Sequence, residues 1–182
     1  MKYVYHGSKN KDLKVIKKNK STHNTPWVYG TYSKALSLIF ISSKGNDLYY
    51  YLGGDGSKQY PYTLVERKEG MFKEIFSERG SIYYLSNKNF ISGKTGWSAE
   101  VVSEYDEPVI KEERIDNVYD ELIKLNDSGE IKLYLYPNRP EWLPIDNSDL
   151  ISKVKKWESR GFDINIFFEM YPELKEKYLE TR

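Results

Sequence analysis

Short tyrosine-rich segments separated by turn residues are the feature that most limits how this chain can fold. The chain holds 17 tyrosines in 182 residues, and aromatic side chains suit the half-buried surface of a pleated sheet. These segments alternate with a period of two and end at glycine, proline or asparagine, as strands do. The predicted strands cover residues 2–5, 27–31, 48–52, 60–66, 71–76, 81–86, 100–109 and 131–136. The pattern predicts a core of many short strands.

Helical periodicity is confined to one early segment and to the part of the chain after residue 114. Ser33 can cap a short helix whose apolar side chains run over residues 35–40. Residues 115–125 predict another helix, because four apolar residues fall on one face: Ile115, Val118, Leu122 and Leu125. Two further helices are predicted over residues 149–160 and 164–179. Many strands with a few helices predict an α+β fold with a mostly antiparallel sheet core.

Composition changes near residue 140, from tyrosine-rich strands to charged helix. We therefore expect one domain over residues 1–140 and a C-terminal helical appendage over residues 141–182. Leu150, Val154 and Trp157 form one apolar stripe on the first appended helix. Such a stripe either packs back on the sheet or docks a partner.

Charge is nearly balanced, with 28 Lys and Arg against 27 Asp and Glu and a formal net charge of +1. A protein that coats DNA needs a strong positive field, so the net charge does not indicate a nucleic-acid partner, although it leaves one open. Six lysines nevertheless crowd one short segment: Lys9, Lys11, Lys14, Lys17, Lys18 and Lys20. A charge run of this kind is more typical of a solvated, mobile loop than of a phosphate-binding patch.

Several chemistries are excluded by residue type. The chain has no cysteine, so disulfides, thiolate metal sites and cysteine nucleophiles are ruled out. His6 and His23 are far apart in sequence and make a poor metal site, so no metal is expected. Gly93-Lys94-Thr95 matches the end of a phosphate-binding P-loop, but Lys88 stands where that motif needs glycine. Residues 1–20 hold no apolar run of signal-peptide length; we expect a cytoplasmic protein without a membrane partner.

Three segments remain, and their order along the chain matters. They are "YHGS", with His6 at the end of the first strand; "VYGTYSKALSLIF", with Tyr29 on a strand followed at once by a short helix; and "WSAEVVSE", with Glu100 opening a late strand. Taken singly, His6 could merely end a strand, Tyr29 could be a core residue and Glu100 an ordinary strand residue. Together they suggest a ligand site.

This sequence resembles the NAD-dependent ADP-ribosyltransferases, in the His-Tyr-Glu branch that includes diphtheria-type toxins and poly-ADP-ribose polymerases. The resemblance is carried by His6-Gly7, by "YGTYSKA" from Tyr29, and by "EVVS" from Glu100. It spans roughly residues 3–110 and leaves the C-terminal helices unexplained. It implies a split, mostly antiparallel sheet core and NAD as the substrate.

The resemblance also implies a role for each matched residue. Glu100 would hold the 2′-hydroxyl of the nicotinamide ribose and stabilise the positive charge that develops there, as in glycoside hydrolysis. Glu104, four residues later, is an alternative carboxylate. His6 would hydrogen-bond a ribose hydroxyl, and the backbone of Gly7 would bind the carboxamide, since close main-chain approach favours glycine. Tyr29 would stack on the nicotinamide ring.

A second stacking aromatic is expected after Tyr29. Phe40, in the following helix, can fill this role, and Tyr32 competes with it. The expected NAD-binding set is His6, Gly7, Ser8, Tyr29, Thr31 and Phe40.

The expected function is mono-ADP-ribosyl transfer from NAD to an unknown macromolecule. Ala99 precedes Glu100, so the acidic or glutamine pairs used for arginine acceptors are not matched. A catalytically degenerate binding module of the same fold remains an alternative. An NAD-dependent RNA 2′-phosphotransferase ranks lower, because it needs several arginines around the phosphate and the stretch flanking Tyr29 has none.

Overall fold

The computed structural model describes residues 2–20, 25–42 and 47–181. Within these ranges the strands are β1 (Tyr3–Ser8), β2 (Val15–Ile16), β3 (Asn19–Lys20), β4 (Pro26–Thr31), β5 (Tyr50–Gly53), β6 (Tyr62–Glu66), β7 (Gly80–Ser86), β8 (Phe90–Ser92), β9 (Glu100–Ser103), β10 (Glu107–Ile115) and β11 (Ile131–Tyr134). The helices are α1 (Lys34–Ile39), α2 (Met71–Phe76), α3 (Val118–Asp127), α4 (Leu150–Glu158), α5 (Asn165–Met170) and α6 (Lys175–Glu180), with a 3₁₀-helix at Pro172–Leu174. The predicted α+β fold is confirmed.

The larger sheet has the strand order β2-β10-β7-β1-β4-β9-β8, with β3 paired to β4, and its neighbours are antiparallel. β1 lies near its centre and is covered on both faces. Val4 packs with Val28 and Leu85 on one face, whereas Tyr5 packs against the main core on the other. This alternation is the one expected for a strand buried on both sides.

The smaller sheet has the order β11-β6-β5, and β11 runs parallel to β6. Its inner face meets α1, α2 and α3, and the main core includes Leu36 of α1, Leu64 of β6, Phe72 of α2, and Ile82 of the larger sheet. The two sheets therefore share one core through the helices between them.

The segment Met71–Phe76 forms α2, so the strand predicted there is wrong. A helix brings residues three and four apart to one face, and four of these six residues are buried: Met71, Phe72, Ile75 and Phe76. Gly70 precedes the helix with φ of 81°. The Glu66 carboxylate accepts a hydrogen bond from the Phe72 N–H at 2.9 Å, which satisfies one of the unpaired donors at the helix start.

Other element boundaries also differ from the prediction. The single strand expected over residues 100–109 is two strands, β9 and β10, joined by a turn at residues 104–106. β1 continues to Ser8, so His6 lies within a strand and not at its end. Ile115 closes β10, and Asn117 caps α3 by accepting from the Asp120 N–H.

The lysine-rich segment is exposed, as predicted, but it is not a loop throughout. β2 pairs with β10, and β3 pairs with β4. Ile16 is buried among the residues on the outer face of the larger sheet. The Leu13 N–H donates to the Tyr83 hydroxyl at 3.3 Å, and the Lys18 N–H donates to Asp106 at 2.9 Å. The backbone that carries these lysines is therefore held in place.

The C-terminal helices pack around a second cluster. Leu150 and Val154 are buried there, and Trp157 packs against them. Leu48 joins the cluster from outside the helices, and its carbonyl accepts a hydrogen bond from the Tyr171 hydroxyl. The apolar stripe thus packs within the chain, on neighbouring helices and Leu48. The domain boundary at residue 140 stays a prediction.

A buried ion pair also joins these helices to the sheet region. The Arg67 side chain is 0% exposed, and its Nη2 lies 2.8 Å from the Asp149 carboxylate. Its Nη1 bonds Asp149 at 3.0 Å and Asn147 at 3.2 Å. The Arg67 Nε has no partner among the described residues. No described helix has the length and apolar character needed to cross a membrane.

Candidate functional site

A cavity of about 260 Å³ opens between β1, β4, the end of α1 and the start of β9. Five of the seven residues expected to bind NAD or act on it line this cavity: His6, Gly7, Tyr29, Phe40 and Glu100. They come from four separate elements of the chain. The fold therefore brings together most of the side chains that the sequence singled out.

The cavity opens because β1 and β4 separate. Tyr5 stands opposite Thr31, and the same register would place Gly7 opposite Tyr29. Gly7 and Tyr29, both described, do not form this backbone pair. Instead, His6 Nδ1 lies 2.8 Å from the Tyr29 carbonyl oxygen. The His6 side chain thus bonds the β4 backbone at the point where the hydrogen bonds between the β1 and β4 backbones end.

This contact fixes the protonation of the His6 ring. A carbonyl oxygen can only accept, so Nδ1 carries the proton, and Nε2 of the neutral ring is left as an acceptor. Burial lowers the pKa of His6 below its usual value of 6.5, although the hydrogen bond to Tyr29 acts in the opposite direction. His6 is therefore neutral near pH 7, with Nε2 able to accept a hydrogen bond.

The two predicted stacking residues both line the cavity. Tyr29 stands on β4, and its ring meets Trp27 edge-on at 6.2 Å. Phe40 follows α1, whose start is capped by Ser33 as predicted. Phe40 is 41% exposed, and its ring meets that of Trp97 edge-on with 5.9 Å between the ring centres.

Tyr32, the competing aromatic, lies elsewhere. It lines a larger and more open cavity of about 700 Å³, and the Lys2 ammonium lies 4.1 Å from the centre of its ring. That larger cavity is bordered mainly by exposed turn residues at 55–58 and 128–130. Phe40 is therefore the aromatic that shares a cavity with Tyr29.

The two candidate carboxylates, Glu100 and Glu104, lie in different places relative to the cavity. Glu100 opens β9 opposite Thr31, is partly buried and lines the cavity. Its carboxylate has no hydrogen bond or ion pair recorded among the described residues. Glu104 is exposed in the turn after β9, roughly 13 Å further along the strand direction at 3.3 Å per residue. Of these two glutamates, only Glu100 lines the cavity.

Gly7 is required by its close packing against α1. A Cβ at this position would lie 1.9 Å from the Ser37 carbonyl oxygen in α1. Any side chain would therefore push β1 away from α1. The sequence suggested close approach by a ligand, whereas the structure shows close approach by a helix backbone.

Ser8 and Thr31 do not line the cavity. The Ser8 hydroxyl accepts from the Asn10 N–H at 3.2 Å. Thr31 is 1% exposed, and its hydroxyl accepts from the Ser33 N–H at 3.1 Å. Both side chains thus stabilise local turns, and their expected part in NAD binding stays a prediction.

Three lining residues were missed from the sequence: Tyr5, Asn19 and Gly30. Tyr5 and Gly30 lie on predicted strands, so their neighbours His6 and Tyr29 could have indicated them. Asn19 had no such signal, because it reaches the wall through the pairing of β3 with β4. His23 lies outside the described residues. Among those that are described, no group of three or more His, Cys, Asp or Glu could hold a metal ion.

Comparison with family models, with curated proteins and with solved structures finds no match to this chain.

Proposed function

We propose that this chain is an NAD-dependent mono-ADP-ribosyltransferase that acts on a macromolecule. The observation that carries the proposal is the meeting of His6, Tyr29 and Glu100 at one cavity, although they are far apart in sequence. A histidine acceptor, a flat ring and a carboxylate without an ion pair among the described residues suit the three parts of a nicotinamide riboside: its hydroxyls, its base and its reacting carbon.

The neutral His6 ring suits the ribose. With Nδ1 bound to the Tyr29 carbonyl, Nε2 accepts a hydrogen bond from a ribose hydroxyl. The same contact holds the ring in one orientation, which limits the ordering needed on binding. The carboxamide binds to the backbone of Gly7 in the cavity wall.

The two aromatic rings suit the base. Nicotinamide stacks on Tyr29 and Phe40, because planar rings favour offset or edge-to-face contact. The cavity of about 260 Å³ lies just below the ~300–1,000 Å³ common for whole ligands. It therefore holds the nicotinamide riboside half of NAD, while the adenosine half extends beyond it.

Glu100 acts on the reacting carbon. The bond from C1′ to the nicotinamide nitrogen breaks, and its electron pair leaves with nicotinamide. The ribose then carries positive charge, which the carboxylate stabilises while it holds the 2′-hydroxyl. A nucleophile of the acceptor bonds C1′ and gives its proton to solvent. Preorganised electrostatic help of this kind is worth roughly 10²–10³ in rate.

The test compares Glu100→Gln with the matched control Glu104→Gln. Release of nicotinamide from NAD is measured, since water can replace the unknown acceptor, and NAD affinity is measured by calorimetry. We expect Glu100→Gln to lower nicotinamide release roughly 10²–10³-fold with NAD affinity nearly unchanged, and Glu104→Gln to behave as wild type.

Two results would contradict the proposal. Absence of NAD binding at millimolar concentration would reject an NAD site. Saturable NAD binding without nicotinamide release from wild type would favour the degenerate binding module instead.

A further inference from the structure

Positive charge is concentrated at the start of the chain. Residues 2–20 hold seven lysines and one acid, Asp12, which gives a net charge of +6, whereas the whole chain carries +1. The remaining residues therefore carry −5. The nearly neutral chain therefore contains one strongly basic segment, residues 2–20.

Part of this charge is already paired. Lys9 lies 2.6 Å from Glu78, and Lys17 lies 3.6 Å from Asp106. Asp12 is held by Arg114. Four exposed lysines of the segment have no ion pair recorded among the described residues: Lys11, Lys14, Lys18 and Lys20. These four ammonium groups are available to an anionic partner.

The basic segment reaches the edge of the cavity. Asn19, between two of the four lysines, lines the cavity wall. β3 is paired to β4 with Asn19 opposite Trp27 and Lys20 opposite Pro26, two and three residues from Tyr29. At about 3.3 Å per residue this is roughly 7–10 Å, comparable to the Debye length of ~8 Å at physiological salt. A polyanion on the segment would thus lie beside the cavity.

We propose that the segment binds a single-stranded nucleic acid, which is the acceptor of the ADP-ribose. The inference rests on the proposed function. The diphosphate of NAD carries two charges, fewer than the four available ammonium groups. Lysines are point charges that bind phosphates without reading sequence.

Nearby aromatic residues favour a single strand. Trp27 stands opposite Asn19. Tyr105 is 62% exposed and precedes Asp106, whose carboxylate accepts from the Lys18 N–H. Bases stack on such rings when they are not paired in a duplex. A nucleophilic nitrogen or oxygen of the strand then bonds C1′, nicotinamide leaves with the electron pair of its bond, and the nucleophile loses a proton to solvent.

Binding is tested without NAD, by fluorescence anisotropy of a labelled single strand of about 20 nucleotides, which exceeds site sizes of ~4–16. Four phosphate contacts give a slope of about −3 for log affinity against log salt. Wild type should therefore lose roughly 50-fold in affinity from about 50 to about 200 mM salt.

Two variants with the same charge change are compared. The first changes Lys11, Lys14, Lys18 and Lys20 to Gln. The control changes four other exposed lysines that also have no ion pair recorded among the described residues: Lys73, Lys132, Lys156 and Lys175. We expect the first variant to lose most of the salt slope and at least roughly 50-fold in affinity at about 50 mM salt, and the control to keep both.

The inference is overturned if wild type does not bind the strand at low salt, or if both variants lose affinity equally. Equal or tighter binding of a duplex would overturn the assignment to single strands. The strand-binding result can be distinguished from a failure of the proposed function, because it is measured without NAD, and NAD binding by wild type and His6→Ala is measured separately. A strand that binds but accepts no labelled ADP-ribose while NAD is hydrolysed would reject it as the acceptor.

Discussion

The buried ion pair between Arg67 and Asp149 allows us to predict how mutation of either residue changes the free energy of unfolding. Asp149→Ala leaves the Arg67 guanidinium, which is 0% exposed, without its carboxylate partner. Breaking a buried pair in this way lowers the free energy of unfolding by about 3–5 kcal/mol. Arg67→Met should cost less, because the Asp149 side chain is 22% exposed and water can solvate it. Loss of Arg67 also removes repulsion on Arg139, whose pKa is lowered by burial and then by that neighbour.

The control is Asp47→Ala, which removes an exposed pair with Lys153 at 2.6 Å and should cost ~0–1 kcal/mol. Urea denaturation measures all three variants. With a slope of ~2 kcal/mol per molar urea, a loss of about 4 kcal/mol moves the midpoint by about 2 M. A midpoint for Asp149→Ala within about 0.5 M of the control would refute the argument, since it would mean that the pair contributes no more than an exposed one.

Three further predictions concern the cavity. NAD affinity should be constant from pH 8 down to at least about 6.5 and should fall only at lower pH, because burial lowers the pKa of His6 below its usual value and Nε2 stays unprotonated above that pKa. Calorimetry at several pH values checks this, and weakening already at pH 7 would contradict it. Phe40→Ala should weaken NAD binding and Tyr32→Ala should not, because of these two residues only Phe40 lines the same cavity as Tyr29. Equal losses of NAD affinity in calorimetry would argue against stacking on Phe40. Gly7→Ala should lower the free energy of unfolding by about 3 kcal/mol, because its Cβ would lie 1.9 Å from a backbone oxygen; an unchanged melting temperature would contradict this.

Local patterns predicted the elements that carry most of the cavity. β4 begins within one residue of its predicted start, and Ser33 caps α1 as its sequence suggested. His6, Tyr29 and Glu100 were singled out by residue type and order, and each lies on such an element. These features depend on neighbours within a few residues, which is what a sequence pattern can report.

The features that failed depend on distant partners. The helix at Met71–Phe76 follows Gly70, and one of its first N–H donors, that of Phe72, is bonded by Glu66 from the preceding strand. β2 and β3 are two residues each and exist only through pairing with β10 and β4. Asn19 reaches the cavity for the same reason. β2 and β3 are too short to show any periodicity. Met71–Phe76 is different, because its apolar residues at positions 71, 72, 75 and 76 follow helical spacing, and the strand prediction missed that period.

The close fit of Gly7 against α1 has a consequence for binding affinity. Because no side chain separates the two backbones, β1 and α1 are coupled at that point, and with them His6 and the adjoining Phe40. We therefore expect these two walls of the cavity to resist separation when a ligand binds. A ligand that fits the spacing should lose little affinity to reorganisation of the protein, and we expect a thicker ring to bind more weakly, because it would have to disturb the contact between β1 and α1.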